Sequence, residues 1–407
     1  MTRSDTPDRL RFSVIVVSHQ RPWWLRRCLT ALRQLDHDAF EIVVVADTDS
    51  LKTLAGDDYK SVAFDEANIS LARNAGISMS AGDVCAFVDD DAIPEPFWLR
   101  HFEQAFAETG AAAVVGYVRG RNGISFQSRV ASIDAEGETH EERIQERPAI
   151  PKLKAGRALK LVGTNAAFRR QVLVDLKGFD PAYAFYLDDA DISLRLHQQG
   201  LEAAVAPFAE VHHAFAPSKR RTGLRAPTDL GDIGRSTAVY MRRHGGIDEN
   251  ELWDRLRTRE RMRAIRHMVQ GTCEPRDVRR LMNGLHEGWK SGLSMRLPQI
   301  ELPPGDPLPF LRVAPIMGHA VHSCRLLRRK SLLSQANISA ESGQRVSVFS
   351  FSLTPIRHLV RYSESGVWVQ TGGQFGRADR SGPLLRWCRF ANRRDTEIRR
   401  VANQRGI

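Results

Sequence analysis

Cysteine is scarce in these 407 residues: there are five, Cys28, Cys85, Cys273, Cys324 and Cys388. Their number is odd, they are scattered, and no CxxC pair occurs, which argues against a zinc site or a redox centre. Reduced, mostly structural thiols are expected. Long apolar runs are also missing. No stretch approaches the roughly 18 residues needed to span a bilayer, and the start, MTRSDTPDRLRF, lacks the apolar centre of a signal peptide. A cytoplasmic protein is expected. No glycine-rich basic loop for a triphosphate follows the first apolar run, where SHQRPWW stands. No recognised nucleic-acid motif accompanies the basic charge, and no internal repeat is visible.

What is present is an ordinary soluble composition, 42% hydrophobic and 26% charged, in a chain long enough for two or three domains. The net charge of +11 is unevenly spread. Residues 1–225 hold 28 Lys and Arg against 31 Asp and Glu, and residues 226–407 hold the other 31 against 17, giving −3 and +14. Such asymmetry points to an anionic partner for the later part: an acidic membrane surface, an anionic glycan or a partner protein. The alternative is charge that serves solubility alone.

Phe12–Val17 and Glu41–Ala46 are near-continuous β-branched runs, as in strands covered on both faces. Pro22–Leu35 between them has helical spacing. A helical pattern over Ile69–Ser80 leads to a third run, Val84–Val88, and Ala111–Val115 is a fourth. This alternation implies a parallel sheet with right-handed crossovers, which binds ligands at the carboxyl ends of its strands. His19, Asp47 and the triplet Asp89, Asp90 and Asp91 all follow strands, so topology alone brings them to one edge. Gly116–Lys160 is irregular and is expected to cover the sheet or line a cleft. Leu161–Phe168 reads as a strand and Asp188–Gln199 as a helix. Residues 229–297 are helical and Arg-rich, and LPQIELPPGDPLPFLRVAP reads as a linker. Strands are expected around Val346–Phe351 and Val367–Gln370, then a basic helix over Leu384–Ala402 carrying Trp387 and Phe390.

Three carboxylates at the end of an apolar strand repel one another and call for a cation. Oxygen ligands on alternate residues, Asp89 and Asp91, suit a hard ion such as Mg²⁺ or Mn²⁺, which in turn holds phosphates. The bland reading is a solvated acidic turn. In LDDAD the carboxylates also complement the dipole at a helix start, and Asp191 and Arg195, four apart, are expected to pair on the helix surface.

Four segments in order, FSVIVVSHQRPWWLRRCLTAL, NISLARNAGISMSAGDVCAFVDDDAIPEPFWL, GTNAAFRRQVLVDLKGFD and FYLDDADISLRLHQQG, resemble a family 2 glycosyltransferase over about residues 10–225. The resemblance implies an α/β fold, Rossmann-like and mostly parallel with flanking helices, the nucleotide-sugar-binding fold called A. It implies an inverting, metal-dependent transfer of a sugar from a nucleotide-diphosphate donor to a glycan or lipid-linked acceptor, as in surface-polysaccharide or glycoconjugate synthesis. By the same resemblance, Asp89 and Asp91 are the paired carboxylates, Asp91 the metal ligand and Asp89 facing ribose, sugar or metal, with Asp90 between them. Asp189 matches the general base and Asp188 stands for the usual Glu. Ser18, His19, Arg21 and Asp47 fall at the nucleotide, Arg73 and Asn74 near base and diphosphate, and His212 completes the metal site. Lys219 and Arg220 belong to a basic loop able to close over the diphosphate. The family's Asp-Asp-Gly-Ser is here Ala46-Asp47-Thr48-Asp49, which departs from the pattern and leaves the nucleotide open. Asn165 lies on the acceptor side or satisfies backbone beneath the cleft.

The expected organisation is a catalytic domain over 1–228, a helical extension over 229–297, and a Pro-rich linker with a small basic α+β region over 298–407. For that last region the +14 excess together with Trp368, Trp387 and Phe390 suggests self-association, or a peripheral place on the inner membrane face. No nucleic acid is expected. Two rival functions are a nucleotidyltransferase making a sugar nucleotide, which lacks its phosphate loop here, and a non-catalytic protein binding anionic partners, which leaves the aspartates without a role.

Overall fold

The computed structural model describes residues 9–216, 220–222, 224–303, 305, 308–316, 318–325, 328–379 and 381–407. Its first part alternates as expected: β1 (Phe12–Ser18), α1 (Pro22–Leu32), β2 (Phe40–Ala46), α2 (Thr48–Lys52), β3 (Lys60–Ala63), α3 (Ile69–Met79) and β4 (Val84–Asp89). β1 pairs in parallel with both β2 and β4, and β2 with β3. Val, Ile and Phe on both faces of these strands are buried, because helices lie on either side. Three polar residues inside the sheet satisfy one another: the buried Glu41 carboxylate accepts the Ser13 hydroxyl at 2.6 Å and pairs with Lys60 at 2.9 Å.

The next elements are β5 (Ala92–Pro94), α4 (Trp98–Thr109), β6 (Ala113–Arg119), β7 (Phe126–Ser128), β8 (Val130–Ile133), β9 (Thr139–Glu142), β10 (Ala158–Leu159), β11 (Ala166–Arg169), α5 (Arg170–Asp175), α6 (Asp188–Gln198) and β12 (Ala203–His213). The nine-stranded sheet runs β3-β2-β1-β4-β11-β6-β12-β5, with β7 beside β6. It is α/β and mostly parallel, but β11 is inserted antiparallel between β4 and β6, and β5 antiparallel beside β12. Of the single strand expected over Leu161–Phe168, only the end is extended, as part of β11; before it the chain turns, with Asn165 N–H bonding the Val162 carbonyl, and the short β10 that precedes belongs to another sheet. α4 buries Trp98, Leu99, Phe102, Ala105 and Phe106, one face at helical spacing. Each of its large side chains contributes on the order of 1.5–3 kcal/mol, and Trp98→Ala costs about 3–5 kcal/mol.

Three helices follow, α7 (Gly231–His244), α8 (Glu249–Val269) and α9 (Pro275–Ser294), around a core of Leu252, Leu256, Leu281, Leu285 and Trp289. The Pro-rich stretch is no free linker. Prolines deny it regular structure, yet it is strapped to the sheet edge: Ser78 donates to the Pro303 carbonyl, Lys60 to the Leu308 carbonyl, and the Leu311 and Val313 amides bond Glu41 and the Phe40 carbonyl.

The chain ends in β13 (His319–Arg325), α10 (Arg329–Glu341), β14 (Arg345–Ser352), β15 (Leu359–Tyr362), β16 (Val367–Gly373) and α11 (Phe390–Arg405). These strands form a separate sheet in the order β13-β14-β16-β15, with α10 packed on Val346, Val348 and Val367 and α11 on Phe349 and Phe351. The last helix starts later than expected, so Trp387 precedes it, 78% exposed and packed at a tilt on Phe375. Trp368 lies in the seam with the first sheet, among Ala31, Ile93, Val360 and Tyr362, so it is unavailable to a membrane or a second copy. No helix among the described residues is long and apolar enough to cross a membrane.

Candidate functional site

The parallel register sets Ser18 beside Ala46 and Val17 beside Asp89, so the loops after β1, β2 and β4 open at one edge. Asp47 caps α2 through the Ser50 amide at 2.9 Å and accepts the Gln20 amide at 2.6 Å. Burial opposes its ionisation, but those hydrogen bonds win and hold its pKa below the usual value. Asp47 therefore ties the first two loops together with both oxygens, while Gln20 takes a positive φ of 56° to reach it.

The aspartate triplet divides its work. Asp90 is buried, accepts the Ser18 hydroxyl at 2.7 Å and meets Arg21 Nη1 at 3.1 Å. Burial pushes its carboxyl up to about 7 against the pull of Arg21, with Asp91 adding to the rise. Asp91 is also buried, which alone would raise it, but His213, Arg21 and the Ala216 amide hold it well below the carboxylate range. Its contacts are His213 Nε2 at 3.2 Å, Arg21 Nη2 at 2.9 Å, the Ala216 amide at 2.6 Å and, more distantly, Arg221 at 3.9 Å. Donor atoms of Asp89, Asp91 and His213 lie within 4.8 Å of one another. Two carboxylates and one imidazole suit a divalent ion such as Mn²⁺, so the residues present fit a cation.

At the other side of the cleft, Tyr186 and Leu187 both take the left-handed conformation, with φ of 74° and 66°. For non-glycine residues this costs energy, and it turns the chain sharply so that α6 starts at the cleft. Arg73 pairs with Asp188 and lies 3.6 Å from Asp89. One guanidinium thus links the aspartate triplet to LDDAD, and it rests over the Phe179 ring at 5.2 Å. Burial raises Asp188 to about 6, opposed by Arg73 and reinforced by Asp189. Asp189 is half-buried, and no hydrogen bond or ion pair to its carboxylate is found among the described residues.

Several expectations fall differently. His212 does not face the cluster: its Nε2 meets Glu95 at 2.8 Å, and its ring packs on Trp368. Successive strand residues point to opposite faces, so His213 reaches Asp91 and His212 cannot. Asn74 is fully buried and clamps Phe179 with both amide atoms, so its hydrogen-bonding groups are spent on backbone. Asn165 takes the second of its two expected roles: it bonds the carbonyls of Tyr117 and Ala209, and accepts the Trp98 indole N–H, beneath the cleft. Asp191 is not on the surface but buried, pairing with both Arg195 at 2.8 Å and His244 at 3.0 Å, which ties α6 to α7. Arg220 pairs with Asp232 and lies 4.1 Å over Phe185. Lys219 lies outside the described residues. His19 stands at the rim with its Nδ1 buried and unpartnered among the described residues. His213, Arg221 and Glu95 were not singled out from sequence. A charged residue between two prolines, Pro94-Glu95-Pro96, was the available signal for the last.

Comparison with known proteins adds a family. The model of "Glycosyl transferase family 2" matches residues 13–176. The succinoglycan biosynthesis protein ExoM of Rhizobium meliloti is 38% identical over 91 residues, 20% of this chain and 29% of that protein. The pre-mycofactocin glycosyltransferase of Mycobacterium tuberculosis is 26% identical over 232 residues, 54% of this chain and 45% of that one. The chain thus spans less than half the length of these curated relatives. Among solved structures, GalNAc-T7 with UDP, GalNAc and Mn²⁺ aligns at a TM-score of 0.45 and 15% identity, over 58% of this chain and 48% of that one. TarS 1–349 of S. aureus aligns at 0.38 and 16%, over 60% and 68%.

Proposed function

We propose, on the premise that the chain belongs to glycosyl transferase family 2 over residues 13–176, that it moves a sugar from a nucleotide-diphosphate donor to an acceptor hydroxyl. The observation that carries this reading is the convergence of Asp89, Asp91 and His213 on one point, joined through Arg73 to the Asp188–Asp189 pair. Asp89, Asp91 and His213 would hold Mn²⁺ or Mg²⁺, which when bound supplies positive charge to a departing diphosphate. His19 and Asp47 border the nucleotide, and Ser18 holds Asp90 in place. Arg21, now occupied by Asp90 and Asp91, is the nearest cation to turn toward phosphate oxygens.

Asp189 takes the acceptor proton. Its neighbour Asp188 is engaged by Arg73, whereas the Asp189 carboxylate has its oxygens unclaimed among the described residues, as a general base requires. One base and one displacement give inversion at the sugar carbon. The acceptor class we favour is a glycan or lipid-linked glycan in polysaccharide synthesis, a setting supported by the description of the R. meliloti relative.

Calorimetric titration with UDP, GDP, CDP and dTDP, with and without Mn²⁺, tests this on wild type and Asp91→Ala. One diphosphate is expected to bind only with metal, and not to the variant. If none binds, the transferase reading fails.

A further inference from the structure

A fully buried ion pair joins the last turn of α11 to the strands that carry the metal cluster. Arg405 and Glu95 are each 1% exposed, and the guanidinium meets the carboxylate twice, Nε to Oε2 at 2.8 Å and Nη2 to Oε1 at 2.9 Å. The same Glu95 oxygen receives His212 Nε2 at 2.8 Å. Arg405 also bonds Ser347 of β14 at 3.1 Å and lies 4.3 Å over the Trp368 ring, against which His212 packs. The C-terminal sheet therefore supplies the pocket that holds the arginine in place.

The ladder shows what this pair holds. β5 and β12 run antiparallel with His213 opposite Ala92, His212 opposite Ile93 and Val211 opposite Pro94. One step beyond, the Ala214 amide bonds the Asp91 carbonyl at 2.9 Å, and at the other end the Glu95 amide bonds the Glu210 carbonyl at 3.0 Å. Asp91 and His213 are thus the cleft-side members of a very short strand pair. Glu95 and His212 close it from the opposite side. Three more contacts dock the end of α11 here: the Phe97 amide bonds the Gln404 carbonyl at 2.8 Å, His101 Nε2 meets the Asn403 carbonyl at 2.6 Å, and Gln404 meets Glu210 at 3.2 Å. Burial alone would raise Glu95, yet Arg405 and His212 hold it ionised, well below the usual carboxylate range. Without Arg405 that charge would be buried and largely unpaired, which forces either protonation or movement of the loop.

We propose that Arg405 is a positioning residue for the Asp91–His213 half of the metal cluster, acting through Glu95 and His212. The C-terminal sheet and helix thereby set the metal affinity of the N-terminal site, with no residue of their own in it. The inference rests on the reading of Asp89, Asp91 and His213 as ligands, and partners that orient ligands typically shift metal affinity about 10–100-fold.

The experiment is a titration of the full chain with Mn²⁺ alone, followed by calorimetry, on wild type, Arg405→Ala, Arg405→Lys and Arg400→Ala. Each is held below its own unfolding transition. Arg400 lies on the same helix, paired with Asp379. Arg405→Ala is expected to weaken Mn²⁺ at least about tenfold, Arg405→Lys to recover part of the loss, and Arg400→Ala to match wild type. Equal Mn²⁺ affinity in folded Arg405→Ala overturns the inference. Should that variant not fold, Glu95→Gln keeps the shape and removes the charge, and the same loss is expected of it. Hydrogen exchange at the Ala214 and Ala216 amides, which bond Asp91, gives a metal-free readout. Faster exchange in Arg405→Ala supports the brace even if wild type binds no Mn²⁺, a result that would sink the proposed function instead; unchanged exchange removes the brace.

Discussion

The two sheets treat buried charge in opposite ways. In the four-stranded sheet, Glu397, Gln370, His358 and Arg393 are all buried where α11 packs, and they bond one another: Gln370 donates to Glu397 at 2.8 Å and meets His358 at 2.9 Å, and Arg393 reaches His358 at 3.0 Å and Glu397 at 3.2 Å. In the nine-stranded sheet, three carboxylates and a histidine gather at strand ends around Arg21 and Arg73, and the surplus is negative. Burial and charge are thus common to both. What distinguishes the candidate site is its balance of charge: carboxylates outnumber the cations there and the network is open, whereas Arg393 and Arg400 offset Glu397 and close the other. A closed network stabilises and specifies; an open one binds.

That contrast is broken most directly by removing the open network's centre. Asp91→Ala is expected to abolish metal-dependent diphosphate binding and to lower the unfolding temperature as well, since it leaves Arg21, His213 and the Ala216 amide without their buried partner. Scanning calorimetry beside nucleotide titration checks both halves. Next, Asp189→Asn should lower kcat by about 10²–10⁴-fold with little change in diphosphate affinity, read from steady-state kinetics once a donor is known. Asp188→Asn should instead act by loosening Arg73. If the two variants behave alike, the division of labour between them is wrong.

The closed network should respond in stability rather than in chemistry. Glu397→Ala leaves Arg393 and Gln370 short of a buried partner and is expected to cost about 3–5 kcal/mol in a denaturant titration. Transfer by the remaining folded protein should fall far less than in Asp91→Ala. The smallest effect is a pH dependence. Burial, aided by Arg393 and Arg400 against the opposing Glu397 and the Gly373 carbonyl, lowers His358 from 6.5 to about 4. The folded form then binds fewer protons than the unfolded one between these values, so its stabilising contribution is present above pH 6.5 and lost as pH falls toward 4. His319, lowered to about 4 by burial and Arg405, acts in the same direction. Replacing His358 by Gln should flatten the fall in melting temperature between pH 7 and 5, and an unchanged slope would assign that fall to other groups.

The parts legible in the sequence are those where one physical demand acts alone. β1, β2 and β4 are buried on both faces, so unbroken Val and Ile announced them, and their parallel register alone brought His19, Asp47 and the aspartates to one edge. The helix start at Asp188 was equally plain. Residues that answer two demands were not. β12 is buried along nearly its whole length, so no alternation told which of His212 and His213 faces the cleft. Asn74 was read from its place in a motif, but its amide is claimed by Phe179; Asp191 pairs with Arg195 as its spacing implied, yet it is buried and shared with His244, which spacing could not tell. Glu95 and Arg405 are 310 residues apart, and only the docked C-terminal sheet makes them partners. Among the described residues of 298–316 neither helix nor strand forms, as the prolines imply, yet the prolines said nothing of the backbone groups that pin the strap.

The most direct measurement is anomalous diffraction at the manganese edge from crystals grown with Mn²⁺ and the diphosphate that binds. The account predicts one strong peak in contact with Asp89, Asp91 and His213, with the diphosphate oxygens on its open side and Arg21 swung off Asp91. A peak held by His212 and Glu95, or diphosphate bound with no metal at the three residues, would contradict it.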